Sequence, residues 1–130
     1  EMARKGIIIY HGLVDDMRKI YAQVHCVVHP TYYPEGLSNV LLEAAASARP
    51  IITTNRSGCR EVVDDGSNGF FVEEKNSKDL IDKIEIFLEM TSEEKSQMGL
   101  AGRIKVEKEF NRRIVIDKYI TEIKNEKTDW

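Results

Sequence analysis

Residues 29–44 read HPTYYPEGLSNVLLEA, and this stretch decides how the whole chain is interpreted. Two carboxylates, Glu35 and Glu43, stand in it with Gly36, short polar residues that can open a helix, and an apolar helical run between them. The first N–H groups of a helix have no partner inside the helix, so they favour an anion such as phosphate. Carboxylates near such a helix start can hold hydroxyl groups. The pattern therefore predicts a site for a nucleotide sugar.

The bulk composition is typical of one ordinary globular domain. The chain has 130 residues, of which 42% are hydrophobic and 32% charged, and this length can bury a core. The net charge of −3 argues against nucleic acid as a partner, because such proteins carry a basic patch or stripe. Cys26 and Cys59 have neither disulfide-framework nor metal-ligand spacing, so we expect two small buried side chains in a reducing cytoplasm.

Short apolar runs alternate with helical patterns along the chain. Such alternation predicts an α/β fold in which helices flank a parallel sheet. The predicted strands lie at residues 7–10, 26–29, 50–53 and 70–72. A loop leads from the third strand into a short helical turn at residues 60–63, and residues 64–69 have dense turn chemistry. No repeat or linker divides the chain, so we expect one domain over residues 1–130.

Five helices are predicted from apolar periodicity and capping residues. Asp15 or Asp16 caps the first, and the second, at residues 38–48, is apolar nearly all round and should be well buried. Asn76 or Ser77 caps the third, and Thr91 forms a capping box with Glu94 at the fourth. The inward-facing residues are predicted to be Met17, Ile20, Tyr21 and Val24, then Leu80, Ile81, Ile84, Phe87 and Leu88, then Met98, Ala101 and Ile104, and finally Ile116, Tyr119, Ile120 and Ile123 after Asn111 as a cap.

Four segments in a fixed order resemble family 4 glycosyltransferases: HGLVDD at 11–16, PEGLSNVLLEA at 34–44, RPIITT at 49–54 and GCREVVDDGSNGF at 58–70. Members of this family are retaining, metal-independent enzymes with the GT-B fold of two Rossmann-like domains. The resemblance extends from about Gly12 to Tyr119. It implies a nucleotide-sugar donor as substrate and requires neither a cofactor nor a metal.

The resemblance also implies a role for each residue of the site. Glu35 would be the catalytic carboxylate that contacts the donor sugar, and Glu43 would bind the ribose hydroxyls. The donor diphosphate would face the backbone amides of Gly36, Leu37, Ser38 and Asn39. This arrangement suits the chemistry, because a departing nucleoside diphosphate without a metal needs N–H donors and a helix dipole to stabilise its charge.

Structural alternatives exist for several of these residues. Glu35 alone could be a plain loop carboxylate, whereas Glu43 interrupts an apolar helix and must find hydrogen-bond donors. His29 is interpreted as strand-end packing and Glu61 as a residue that pins its turn. Ser57 departs from the paired glycines usual in the family. Arg56 or Arg60 could replace a missing basic pair, although exposed arginines are mostly solvated.

The resemblance further implies that the chain is incomplete. Family members have an N-terminal acceptor domain, and their second domain opens with a strand, a Gly-Arg turn and a lysine, none of which lies upstream of Ile7. We therefore expect the later two-thirds of a C-terminal domain, inactive alone. In the strand order of such domains, open edges would remain. The strand at 7–10 would pair directly with the next strand, or two copies of the chain would pair through these edges as a homo-oligomer.

The run from Tyr32 to Ile51 is most similar to the branch that builds capsular, lipopolysaccharide or lipid-linked glycans. We expect a UDP-sugar donor, a glycan or lipid-linked acceptor, and a cytoplasmic enzyme peripheral to the inner membrane. An alternative is a non-catalytic nucleotide-binding or oligomerising Rossmann-like module. A nucleotide-sugar epimerase is disfavoured because no strand is followed by G-x-G-x-x-G.

Overall fold

Three parallel strands form one sheet, and helices cover both of its faces. The computed structural model describes Gly12, residues 17–31 and residues 38–110. The elements there are α1 (Arg18–Gln23), β1 (Val27–His29), α2 (Asn39–Ala46), β2 (Ile51–Thr54), β3 (Gly69–Val72), α3 (Ser77–Glu89) and α4 (Ser92–Glu109). The strands pair in the order β1-β2-β3, all parallel, which confirms the predicted α/β fold. No helix within the described ranges is long and apolar enough to cross a membrane.

β2 is the central strand, and all four of its residues are buried. Ile51 lies opposite Val27 of β1 on one side and Gly69 of β3 on the other. A Cβ at position 69 would overlap the Ile51 carbonyl oxygen. The close pairing of β2 with β3 therefore requires glycine at this position.

The two faces of the sheet carry separate hydrophobic clusters. On one face α1, α2, α4 and the turn at residues 59–63 pack around a core that includes Tyr21, Leu41, Ala44, Val62 and Val106. On the other face α3 covers a smaller cluster made by Ile52, Val72 and Phe87. The larger cluster therefore contains residues of both α1 and α2, the helices that precede and follow β1 in the sequence.

Capping side chains determine where three helices begin. Ser38 caps α2, and Asn76 caps α3 by accepting from the N–H of Asp79 at 3.0 Å. Thr91 and Glu94 form the predicted capping box, with the two reciprocal hydrogen bonds at 2.9 and 3.1 Å. α1 differs: it begins at Arg18 with Met17 at the N-cap position and no side-chain cap.

The predicted apolar faces are too wide. On α3, Ile81 and Leu88 are 54% and 65% exposed, because only the stripe through Leu80, Ile84 and Phe87 meets the sheet. α2 buries Leu41, Ala44 and Ala45, whereas Val40 and Ala46 are exposed, so it is not buried all round. In both helices, the residues that are exposed against expectation lie on the face turned toward the solvent.

α4 packs against α2 through two glycines, which the apolar periodicity of the sequence does not predict to face inward. Ile104 is exposed, whereas Gly99 and Gly102 are buried beside Met98 and Val106. A Cβ at position 99 would overlap the carbonyl oxygen of Ala48, just beyond the end of α2. Small residues thus let two helices approach more closely than apolar side chains would allow.

Several sequence predictions lie outside the described residues. These are the strand at 7–10 and its pairing, Asp15 and Asp16 as caps, and the helix after Asn111. The site residues Glu35, Gly36 and Leu37 also lie outside them. Ser38, Asn39 and Glu43 are described.

Both cysteines should react slowly with thiol reagents in the folded protein. Cys59 is fully buried as expected, whereas Cys26 is only partly buried, and this partial burial still raises the pKa of its thiol to about 11. Because only the thiolate attacks, about one thousandth of Cys26 is reactive at pH 8. We expect neither thiol to react promptly with Ellman's reagent at pH 8, and both to react once urea unfolds the chain. Prompt reaction of a native thiol would contradict the packing.

Candidate functional site

The candidate site lies at the carboxyl edge of the sheet, where β1 ends and α2 begins. Two buried threonines at the end of β2 hold the chain as it leaves β1. The hydroxyl of Thr53 donates to the His29 carbonyl at 2.7 Å, and that of Thr54 donates to the Thr31 carbonyl at 2.5 Å. The segment that leads toward Glu35 is therefore fixed at its start by the central strand.

Ser38 fixes the N-terminus of α2. It is buried, and its side-chain oxygen accepts from the N–H of Leu41 at 3.4 Å, as an N-cap residue does. Its own amide donates to the Gly58 carbonyl at 3.2 Å. This corrects the expectation that the Ser38 amide faces a diphosphate: the following loop already occupies it, and Ser38 orients the helix start instead.

The next two residues of α2, Asn39 and Val40, are exposed. Among residues 17–31 and 38–110, none accepts a hydrogen bond from their backbone N–H groups. Because such first-turn amides carry the positive end of the helix dipole, they attract an anion. The phosphate-facing role of the Asn39 amide stays a prediction, with which its exposed place in the first turn of α2 is compatible.

Glu43 lies a little more than one turn into α2 and is exposed. The buried Tyr21 of α1 donates its hydroxyl to Glu43 Oε2, with 3.3 Å between the two oxygens. The expectation that this carboxylate is desolvated and must therefore find a donor is wrong in its premise, because Glu43 is exposed, although it does have a protein donor. The apolar pattern predicts Tyr21 only as a core residue and indicates no role for its hydroxyl.

The loop after β2 braces the start of α2. Gly58, whose φ is +91°, donates its amide to Glu61 Oε2 at 2.6 Å while its carbonyl accepts from Ser38. Glu61 therefore pins the turn, as predicted. Arg56 forms a 2.7 Å ion pair with Glu74, so its guanidinium already has an anionic partner, whereas Arg60 is exposed on the same turn.

Metal ligands do not gather in the described part of the chain. Among residues 17–31 and 38–110, no three His, Cys, Asp or Glu side chains come together as a metal site requires. The groups that the structure does assemble at this edge are amides, a carboxylate and a phenol hydroxyl. They are suited to bind phosphate and hydroxyl groups.

A parallel sheet with helices on both faces, and with a helix start at its carboxyl edge, defines the class of Rossmann-like α/β domains. Within that class the chain belongs to the glycosyl transferases group 1, whose family model matches residues 1–90. The resemblance stated from the sequence is thereby confirmed.

Two curated relatives show where similar chains occur. The capsular polysaccharide biosynthesis glycosyltransferase CapM of Staphylococcus aureus is 36% identical over 84% of this chain and 28% of its own length. An N,N'-diacetylbacillosaminyl-diphospho-undecaprenol alpha-1,3-N-acetylgalactosaminyltransferase of Campylobacter jejuni is 28% identical over 92% of this chain and 31% of its own. The chain spans about a third or less of the curated relatives it matches.

A solved structure confirms the fold. HepE of Anabaena, in complex with UDP, superimposes with a TM-score of 0.81 at 23% identity, covering 96% of this chain and 35% of HepE. This similarity establishes the fold, which is a part of the GT-B architecture.

Proposed function

We propose that residues 1–130 form one incomplete C-terminal, donor-binding domain of a glycosyltransferase that acts in surface polysaccharide synthesis. The whole enzyme transfers a sugar from a UDP-sugar to a glycan or lipid-linked acceptor, with retention and without a metal. The acceptor binds to a separate N-terminal domain. By itself this chain binds a nucleotide weakly and does not catalyse transfer.

The single observation that carries this proposal is the geometry around the start of α2. The first-turn amide of Asn39 and the exposed carboxylate of Glu43 lie on the same short helix, the next element after β1. A nucleoside diphosphate presents a dianionic group and ribose hydroxyls close together. One helix can therefore bind both groups, the phosphate at its N-terminus and the ribose a turn further on.

Each proposed residue then has one task in the reaction. The amides of Gly36, Leu37 and Asn39 stabilise the charge that develops on the diphosphate as the glycosidic bond breaks. Glu43 accepts hydrogen bonds from the ribose hydroxyls. Glu35 contacts the hydroxyls of the transferred sugar and orients its anomeric carbon.

The comparisons support the choice of substrates. UDP is the ligand of the HepE structure, which favours uridine as the donor base. The name of the Campylobacter relative contains a diphospho-undecaprenol acceptor, and CapM acts in capsule synthesis. A lipid-linked acceptor would place the whole enzyme at the cytoplasmic surface of the inner membrane.

Assay of the full-length enzyme with a panel of UDP-sugars tests the proposal. We expect transfer from one of them, a product whose anomeric configuration by NMR equals that of the donor, and unchanged rates in excess EDTA. An inverted product would contradict retention. Loss of activity in EDTA, restored by added Mg²⁺ or Mn²⁺, would contradict metal independence.

A further inference from the structure

The hydrogen bond between Tyr21 and Glu43 joins a core residue to the surface of the candidate site. The two residues are 22 positions apart and belong to different helices, α1 and α2. Tyr21 is 3% exposed, whereas Glu43 is exposed. The phenol hydroxyl therefore reaches from the interior to a carboxylate that the solvent and a ligand can approach.

The ring of Tyr21 is held in place by its surroundings. It belongs to the same buried cluster as Leu41, Ala44 and Ala45, the residues of α2 that face the sheet. Because these three lie on either side of Glu43 in sequence, the ring is fixed against the helix that carries the carboxylate. A hydroxyl on a ring held in this way has few positions available to it, so it can orient a mobile glutamate.

Core packing alone does not explain the hydroxyl. A phenylalanine would fill the same volume without a polar group that must be satisfied when buried. A hydrogen bond to an exposed carboxylate adds little to stability, because water competes for the carboxylate. The hydroxyl is thus better explained by what it does to Glu43 than by what it adds to the core.

We propose that Tyr21 is a positioning residue that fixes the Glu43 carboxylate for the ribose of the donor, so that preference for a ribonucleotide depends on this pair. The inference rests on the proposed role of Glu43. The tyrosine binds Oε2 and leaves Oε1 for the ribose hydroxyls. The 3.3 Å separation is long, as hydrogen bonds at active sites often are before a ligand binds.

The protonation state of the phenol suits this task. Burial raises the pKa of Tyr21, and the charge of Glu43 and the hydrogen bond to it raise the pKa further. The hydroxyl therefore keeps its proton at neutral pH and acts as a donor toward the carboxylate. No covalent or proton-transfer step is assigned to it.

The test measures by calorimetry how four full-length enzymes bind UDP and 2',3'-dideoxy-UDP. The four are the wild type, Tyr21→Phe, Glu43→Ala and the double variant. The wild-type enzyme should prefer UDP. Tyr21→Phe should weaken UDP about tenfold, as expected for a lost bond to a charged group, and leave the dideoxy analogue within about twofold. In the Glu43→Ala background the tyrosine substitution should have no further effect on UDP.

Thr91→Val is the matched control, because it deletes a hydroxyl from the α4 cap, away from this site. It should lower the melting temperature without changing the preference for UDP. Suppose that Glu43→Ala abolishes the preference for UDP. The inference is then overturned if Tyr21→Phe weakens the binding of both ligands equally, or weakens the binding of neither. If Glu43→Ala keeps the preference, the proposed role of Glu43 itself fails.

Discussion

Replacing Glu43 with alanine should lower kcat/KM of the full-length enzyme for its donor by about 10²-fold or more. Two hydroxyl–carboxylate bonds would be lost, and bonds to charged groups are each worth about 1.5–3 kcal/mol. Glu43 is exposed on α2, so its removal should leave the fold intact. Steady-state kinetics with varied donor concentration measures the change.

Glu85→Ala provides the control for this substitution. Glu85 is an exposed carboxylate on α3, which covers the opposite face of the sheet. It should leave kcat/KM within about twofold, since substitutions of exposed residues away from special features have small effects. Glu35→Ala should cause a loss comparable to that of Glu43→Ala, because that carboxylate is proposed to contact the sugar itself. Normal activity in both glutamate variants would refute the assignment of the donor site.

Features set by neighbouring residues were predictable from the sequence. Of the two candidate caps of the third helix, Asn76 is the one observed, and the capping box of Thr91 and Glu94 is confirmed; each depends on a side chain and an N–H three residues later. The parallel sheet also followed from short apolar runs separated by helical patterns. These signals lie within a few residues of the structure they specify, so they are readable without a tertiary model.

Features set by contacts between distant segments were not predictable. Tyr21 and Glu43 are 22 residues apart, and only the packing of α1 beside α2 brings them together. The Ser38 amide meets the Gly58 carbonyl for the same reason, so its use by the protein itself could not be foreseen. Apolar periodicity gives the direction of a helix face, but the width of that face depends on the neighbour. Ile81 and Ile104 are exposed for this reason.

The approach of α4 to α2 makes Gly99→Ala a strongly destabilising substitution. An added Cβ would overlap the Ala48 carbonyl, and Ala48 itself has a φ of +58°, a conformation with little freedom to adjust. Overpacking costs about 1–3 kcal/mol and occasionally more, and because the added Cβ would overlap a backbone oxygen rather than a flexible side chain, we expect about 3–4 kcal/mol here. The better helix propensity of alanine offsets about 1 kcal/mol of that cost. We expect a net loss of about 2–3 kcal/mol in the free energy of unfolding, measured by urea titration with far-UV circular dichroism.

Gly66→Ala separates this steric effect from the conformational cost of replacing any glycine. Gly66 has a φ of +82° and nothing near the position of an added Cβ, so alanine there should cost only about 1–2 kcal/mol for the left-handed backbone. The larger loss should therefore belong to Gly99, despite its ordinary helical conformation. Because Leu41, Ala44 and Ala45 lie in the core beneath this contact, a displaced α4 would also loosen the helix that carries Glu43. A urea midpoint for Gly99→Ala equal to or above that of the wild type would contradict the close contact of the two helices.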